Sequence, residues 1–198
     1  MESLENQGVL FPLNQHNIES PNKNEDIILS SDLLIKWRNS VSNFQSNLFQ
    51  EKDSSNKQSD LFEETFIEKI EDLNPLELEP LSLSFWRFQS APHRGAALYF
   101  VIDQPKDLKS PLLLYIGETI SAERRWKGDH DCKRYLSAYS ESLNKAKINY
   151  QLSIRFFADV PQKTSARRKV EQILIKKWQP PFNKETRDRW KTPFTSDF

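Results

Sequence analysis

Phosphate chemistry is built from a few residue types, and this chain holds them in three short segments. Tyr115-Ile116-Gly117-Glu118-Thr119 is followed by Arg124-Arg125-Trp126. Glu171 opens the run Glu171-Gln172-Ile173-Leu174-Ile175-Lys176-Lys177-Trp178-Gln179-Pro180-Pro181-Phe182-Asn183. Upstream, Ala97-Leu98-Tyr99 adds a second tyrosine. Breaking a phosphodiester requires an activated water, charge against a pentavalent anionic transition state, and a handled leaving group. A phenol can serve as base if its pKa, about 10 in water, is lowered. An arginine stays charged and grips two oxygens with one planar fork. A lone carboxylate can hold Mg²⁺ when waters and phosphate complete the octahedron. Each residue also has a plainer explanation. Strand tyrosines pack on sheets, and a single arginine usually lies on the surface. Gly117 can mark a turn or let a phosphate approach the backbone. A helical wheel sets Glu171 beside Arg167, Arg168, Leu174 and Ile175, at the margin of a core. There it would otherwise be a solvated neighbour of Ile175.

The joint spacing favours the chemical alternative. Together the segments resemble the GIY-YIG nuclease superfamily, over roughly residues 94 to 190, about half the chain. The resemblance implies that Tyr99 and Tyr115 stand on adjacent strands beside the scissile phosphate. Tyr99 would be general base or water positioner, and Tyr115 would orient the water or the phosphate. Arg125, ten residues after Tyr115, matches the family arginine on that phosphate. Glu171 matches the ligand of Mg²⁺ or Mn²⁺, and Asn183, twelve residues later, an asparagine that braces the site. Two departures stand out. Ala97-Leu98-Tyr99 replaces Gly-Ile-Tyr. Where many members carry His or Tyr, fourteen residues after the second tyrosine, this chain has Asp129, with His130 one residue later. His130 is therefore a further catalytic candidate. Candidate substrate contacts are Gly117, Arg124, Asn183 and a basic helix face of Arg167, Arg168, Lys169, Lys176 and Lys177. Trp178, Trp190 and Phe194 are candidates for stacking on bases, although Trp178 is first expected in the core.

These residues need elements to position them. Ala97 to Asp103 and Leu112 to Gly117 are apolar runs around a short polar connection, which predicts an antiparallel hairpin. A short helix follows from Ser121 to about Lys127. Another from about Asp131 to Lys145 buries Cys132, Tyr135, Leu136, Tyr139 and Leu143. Leu152, Ile154 and Phe156 alternate as a third strand. A last helix over Ser165 to Trp178 buries Val170, Ile173, Leu174 and Trp178, and Pro180 ends it. The expected fold class is α/β: a small three-stranded antiparallel sheet flanked by helices, GIY-YIG-like, with a helical, partly disordered N-terminal extension.

That extension is expected as a disordered tail over residues 1–30 and a helical part over 31–80, before the nuclease-like domain at 81–198. Leu34, Trp37, Val41, Phe44 and Leu48 form one helical stripe, with Ser31 as N-cap. Residues 50–60 read as a linker. A second helix is expected after Asp60, with Glu63 completing a capping box and Phe62, Phe66, Ile70 and Leu73 on one face. Pro75 and Pro80 then hold the chain extended.

Net charge is zero but divided. Residues 94–198 carry 21 Lys and Arg against 12 Asp and Glu, a balance of +9, and residues 1–93 carry the opposite −9. A basic half suits a polyanionic partner. One cysteine, Cys132, excludes an internal disulfide and a multi-cysteine metal site, and the scattered His16, His93 and His130 argue against a zinc cluster. No apolar run is long enough to span a membrane, and the acidic, Asn-rich start does not read as a secretory signal. A cytoplasmic location is expected. Two functions compete: a metal-dependent endonuclease on DNA, with RNA left open, and a weak or inactive nucleic-acid-binding or interaction module of the same fold. The N-terminal stripes call for a partner surface, on this chain or in a homodimer.

Overall fold

The computed structural model describes residues 23–50, 70–87, 95–106, 108–128 and 130–192, with side chains from Ser31. The expected linker beyond Gln50, the capping box at Asp60 and Glu63, Phe62, Phe66, Asp129 and Phe194 lie outside the described residues. The elements are α1 (Lys23–Gln50), β1 (Ala97–Asp103), β2 (Leu112–Thr119), α2 (Ala122–Lys127), α3 (Asp131–Lys145), β3 (Leu152–Phe157) and α4 (Thr164–Trp178). Two 3₁₀ turns, Pro75–Glu77 and Phe85–Arg87, connect α1's region to the sheet. The first is started by Asn74, whose side chain accepts the Leu76 N–H at 3.0 Å. Among the described residues no helix is long and apolar enough to cross a membrane.

The fold is α/β, a three-stranded antiparallel sheet in the order β2-β1-β3 with helices on both faces. Every residue of β1 is buried, because a central strand covered on both sides needs apolar side chains at both parities. Tyr99 and Val101 face one layer, with α3, Trp126 of α2, and Leu34 and Val41 of α1. Leu98, Phe100 and Ile102 face the other, with Val170, Leu174, Ile175 and Trp178 of α4. The expected α4 stripe shifts slightly: Ile175 is buried and Ile173 only half-buried.

α1 starts at Lys23, so Ser31 lies inside it and is not its N-cap. Residues 23–30 contain neither Pro nor Gly, and nothing in their backbone stops the helix there. The helix runs beside β2, and its stripe packs on this chain. Trp37 rests on Tyr139 and Phe182, with ring centroids 6.0 and 6.3 Å away. Arg38 Nη2 meets Asp103 Oδ2 at 2.9 Å in a fully buried ion pair. Asp103 also accepts the Tyr139 hydroxyl at 2.6 Å and the Gln151 N–H at 2.7 Å.

β2 is an edge strand, and its open edge is covered by other groups in sequence order. The Gln45 carboxamide donates to Leu113 O at 3.0 Å and accepts Leu113 N–H at 2.8 Å. Phe182 N–H donates to Leu114 O at 3.0 Å. Asn183 accepts Ile116 N–H at 3.0 Å and donates to Ile116 O at 2.8 Å. Glu171 Oε1 accepts Glu118 N–H at 3.0 Å. The edge therefore acts as a ruler, fixing Asn183 and Glu171 one β repeat apart beside Tyr115.

Candidate active site

The hairpin register aligns Tyr99 with Gly117 and Val101 with Tyr115, which puts both tyrosines on one face of the sheet as diagonal neighbours. Their rings stack, with centroids 5.8 Å apart at 26°. Gly117 has a specific role here. A Cβ at this position would overlap Tyr99 Cζ and Oη and lie 2.7 Å from Cε1. The glycine lets the Tyr99 ring lie across β2; the sequence suggested a phosphate approaching the backbone instead. Trp126 meets Tyr99 edge-on at 5.8 Å and stands edge-on to His130 at 5.1 Å.

A two-lobed cleft opens over these rings. The inner lobe, about 420 Å³, is lined by His130, Asp131, Cys132 and Asn183 among others. The outer lobe, about 960 Å³, is lined by Tyr99, Glu118, Arg124 and Arg168 among others. Tyr115, Arg125 and Glu171 line both. Most of the expected site residues thus meet at one place, from β1, β2, α2, α4 and the turn after α4.

Burial sets the protonation of the two phenols. Desolvation pushes Tyr99 up to about 12, although Arg125 and Tyr115 pull it down, and its hydroxyl is buried without a well-formed hydrogen bond among the described residues. Tyr115 is raised further above the ordinary tyrosine range, first by burial and then by Tyr99. Neither is lowered toward neutrality, which the sequence required of a tyrosine base. Both are neutral phenols, fit to donate a hydrogen bond. Arg125 is exposed on α2 and interacts with both.

Glu171 is half-buried, and desolvation raises its carboxyl to about 7. The Glu118 amide opposes that rise, while the carboxylates of Glu118 and Glu185 add to it. Among the described residues no group of three or more His, Cys, Asp or Glu side chains forms a ready metal cage. The donor set still fits a hard divalent cation. Such ions bind through one or two carboxylates and keep several waters. Glu171 gives Oε1 to the Glu118 backbone N–H and lines a cleft where the carboxylates of Glu118 and Glu185 add negative charge and Arg168 opposes it.

The helix-face expectation is corrected in part. Arg167 is fully buried and spent within the fold. It donates to Glu118 Oε2 at 3.1 Å, to the carbonyls of Pro161 and Gln162 at 2.9 and 2.6 Å, and to Thr164 Oγ1 at 3.0 Å. Four of its five N–H donors are spent in this way, and full burial closes the side chain to substrate. Arg168 is exposed at the cleft and reaches Glu118 only at 3.4 Å. Lys176 and Lys177 do not line the cleft, and Lys177 bonds the Glu71 carbonyl. Asn183 spends its amide on Ile116, a bracing role. Trp178 is core, and Trp190 packs on Phe44 of α1, with centroids 5.6 Å apart. The sequence missed Glu118, which ties Arg167 to the strand carrying Tyr115, and Lys184, which lines both lobes.

A scan against protein-family models gave no match, and searches of curated proteins and of solved structures gave none.

Proposed function

We propose that this chain is a GIY-YIG-type nuclease that hydrolyses phosphodiester bonds in DNA with a divalent cation. One observation carries the proposal: Tyr99, Tyr115, Arg125 and Glu171, from four different elements, converge on a single cleft. Arg125 binds the phosphate oxygens with its fork, and its charge needs no proton bookkeeping. Tyr115, the more exposed phenol, orients water or phosphate by donating its hydroxyl proton, and Tyr99 supports it from beneath. Glu171 would hold Mg²⁺ or Mn²⁺. When bound, that ion supplies Lewis-acid charge against the developing oxyanion. His130, buried at the start of α3 against Trp126, shapes the inner lobe. The experiment is nicking of supercoiled plasmid with Mg²⁺ and Mn²⁺, beside a chelator control. Metal-dependent nicking by the wild type, lost in Arg125→Ala, supports the proposal; no cleavage of duplex, flap, junction or single-stranded DNA overturns it.

A second function, a nucleic-acid-binding module without catalysis, is favoured by the burial of the Tyr99 hydroxyl and its raised pKa. It predicts salt-dependent DNA binding with no cleavage under any metal.

A further inference from the structure

Four side chains line both lobes of the cleft: Tyr115, Arg125, Glu171 and Lys184. Three carry the proposed chemistry, and the fourth has no part in it. Lys184 follows Asn183, whose amide is bonded to both Ile116 backbone groups, so its root is fixed against the strand that bears Tyr115. The Asn183 carbonyl accepts the N–H groups of Thr186 and Arg187 at 3.1 and 2.9 Å, which closes the turn around it. The side chain is exposed and makes no hydrogen bond or ion pair among the described residues. Two nearby carboxylates are already engaged. Asp131 pairs with Arg134, although Lys184 also acts on its charge, and Glu185 accepts from Gln172 at 2.8 Å. Lys184 is therefore a cation with a fixed base and an unspent ammonium at the seam of the site.

The geometry points to Lys184 as a second phosphate-binding cation: its ammonium takes a non-bridging oxygen of the phosphodiester that Arg125 holds. This rests on the cleft being a phosphodiester site. A compact ammonium on a flexible stem suits the task, because it can follow the phosphate while the guanidinium fixes its orientation.

The test is binding of a fluorescent duplex oligonucleotide by the full chain in chelator, across a salt series, with wild type, Lys184→Ala and Lys184→Arg. Lys184→Ala is expected to weaken binding about threefold to tenfold at 0.1 M salt, and to flatten the slope of log K against log salt by about 0.9, one phosphate contact. Lys184→Arg should restore both. The thermal midpoint of Lys184→Ala should match wild type, since the side chain makes no hydrogen bond or ion pair among the described residues. An unchanged slope and affinity in Lys184→Ala overturns the assignment and leaves the nuclease proposal standing. If wild type binds but never cleaves with Mg²⁺ or Mn²⁺, the nuclease proposal falls, and the slope change alone decides Lys184. If wild type shows no salt-dependent DNA binding, both fall.

Discussion

Gly117 and Tyr99 occupy one volume between them. Gly117→Ala drives a methyl group into the phenol ring, which is also packed against Tyr115 and Trp126 at centroid distances of 5.8 Å. Overpacking of this kind costs about 1–3 kcal/mol. The expected result is a lower urea midpoint together with lost cleavage; a folded, fully active Gly117→Ala would mean the ring can tilt freely. Glu171→Gln keeps an oxygen for the Glu118 N–H, so the protein should fold, but cleavage should fall on the order of a thousandfold. The same residue predicts a pH effect in metal-free protein. Its carboxyl ionises near 4.5 when unfolded and near 7 when folded. The folded state thus keeps the proton longer, and stability falls as pH rises from about 4.5 to about 7, then levels. Thermal midpoints measured in chelator should show that fall, and Glu171→Gln should flatten it. Tyr99, Tyr115, Arg125 and Glu171 were legible as a set because their types and spacing recur together. Arg167 was not, because an arginine on a helix reads as solvated until its distant partner Glu118 is known. Lys184 was not, because nothing in sequence marks one lysine among many as facing a cleft.

The strands and the later helices could be read from local apolar pattern alone. β1, β2, α3 and α4 fall within a residue or two of their expected bounds, since the two strands are unbroken apolar runs and each helix carries an apolar stripe. Which surface α1 covers could not be read. A stripe of Leu34, Trp37, Val41, Phe44 and Leu48 says that a helix needs a partner, not which one. The answer depends on polar residues that carry no such pattern. Arg38 meets Asp103, and Gln45 meets Leu113 and also donates to the Trp178 carbonyl at 3.0 Å. Arg38→Met should strand the Asp103 carboxylate in the core and cost about 3–5 kcal/mol. The double variant Arg38→Met/Asp103→Asn removes both charges and should recover a large part of that loss. Urea denaturation of the two proteins checks it, and equal stability of wild type and Arg38→Met would show that the pair adds nothing.

Across the whole molecule, α1 and the sheet share one apolar interior. Leu34 and Val41 lie in the same cluster as Tyr99, Trp126 and Leu136. A fragment beginning at Ser82 loses those side chains together with Arg38 and Gln45, and it uncovers the Leu113 backbone groups at the edge of β2. It is expected to be insoluble or to lack near-ultraviolet circular dichroism and a cooperative thermal transition. A soluble fragment with wild-type spectra and cleavage would show that the helix is dispensable.

The Asp103 carboxylate also sets an order of assembly. Its partners are Arg38, Tyr139 and the Gln151 backbone, so this one buried acid ties together segments made early and late. During synthesis α1 emerges before the sheet, and its arginine has no counter-ion until 65 more residues have followed. At roughly 5–20 residues per second that wait is about 3–13 s. Throughout it the helix carries an uncovered apolar stripe and an unmatched cation. The nascent chain is thus most open to wrong pairing, and to capture by a chaperone, before the sheet that completes its core exists.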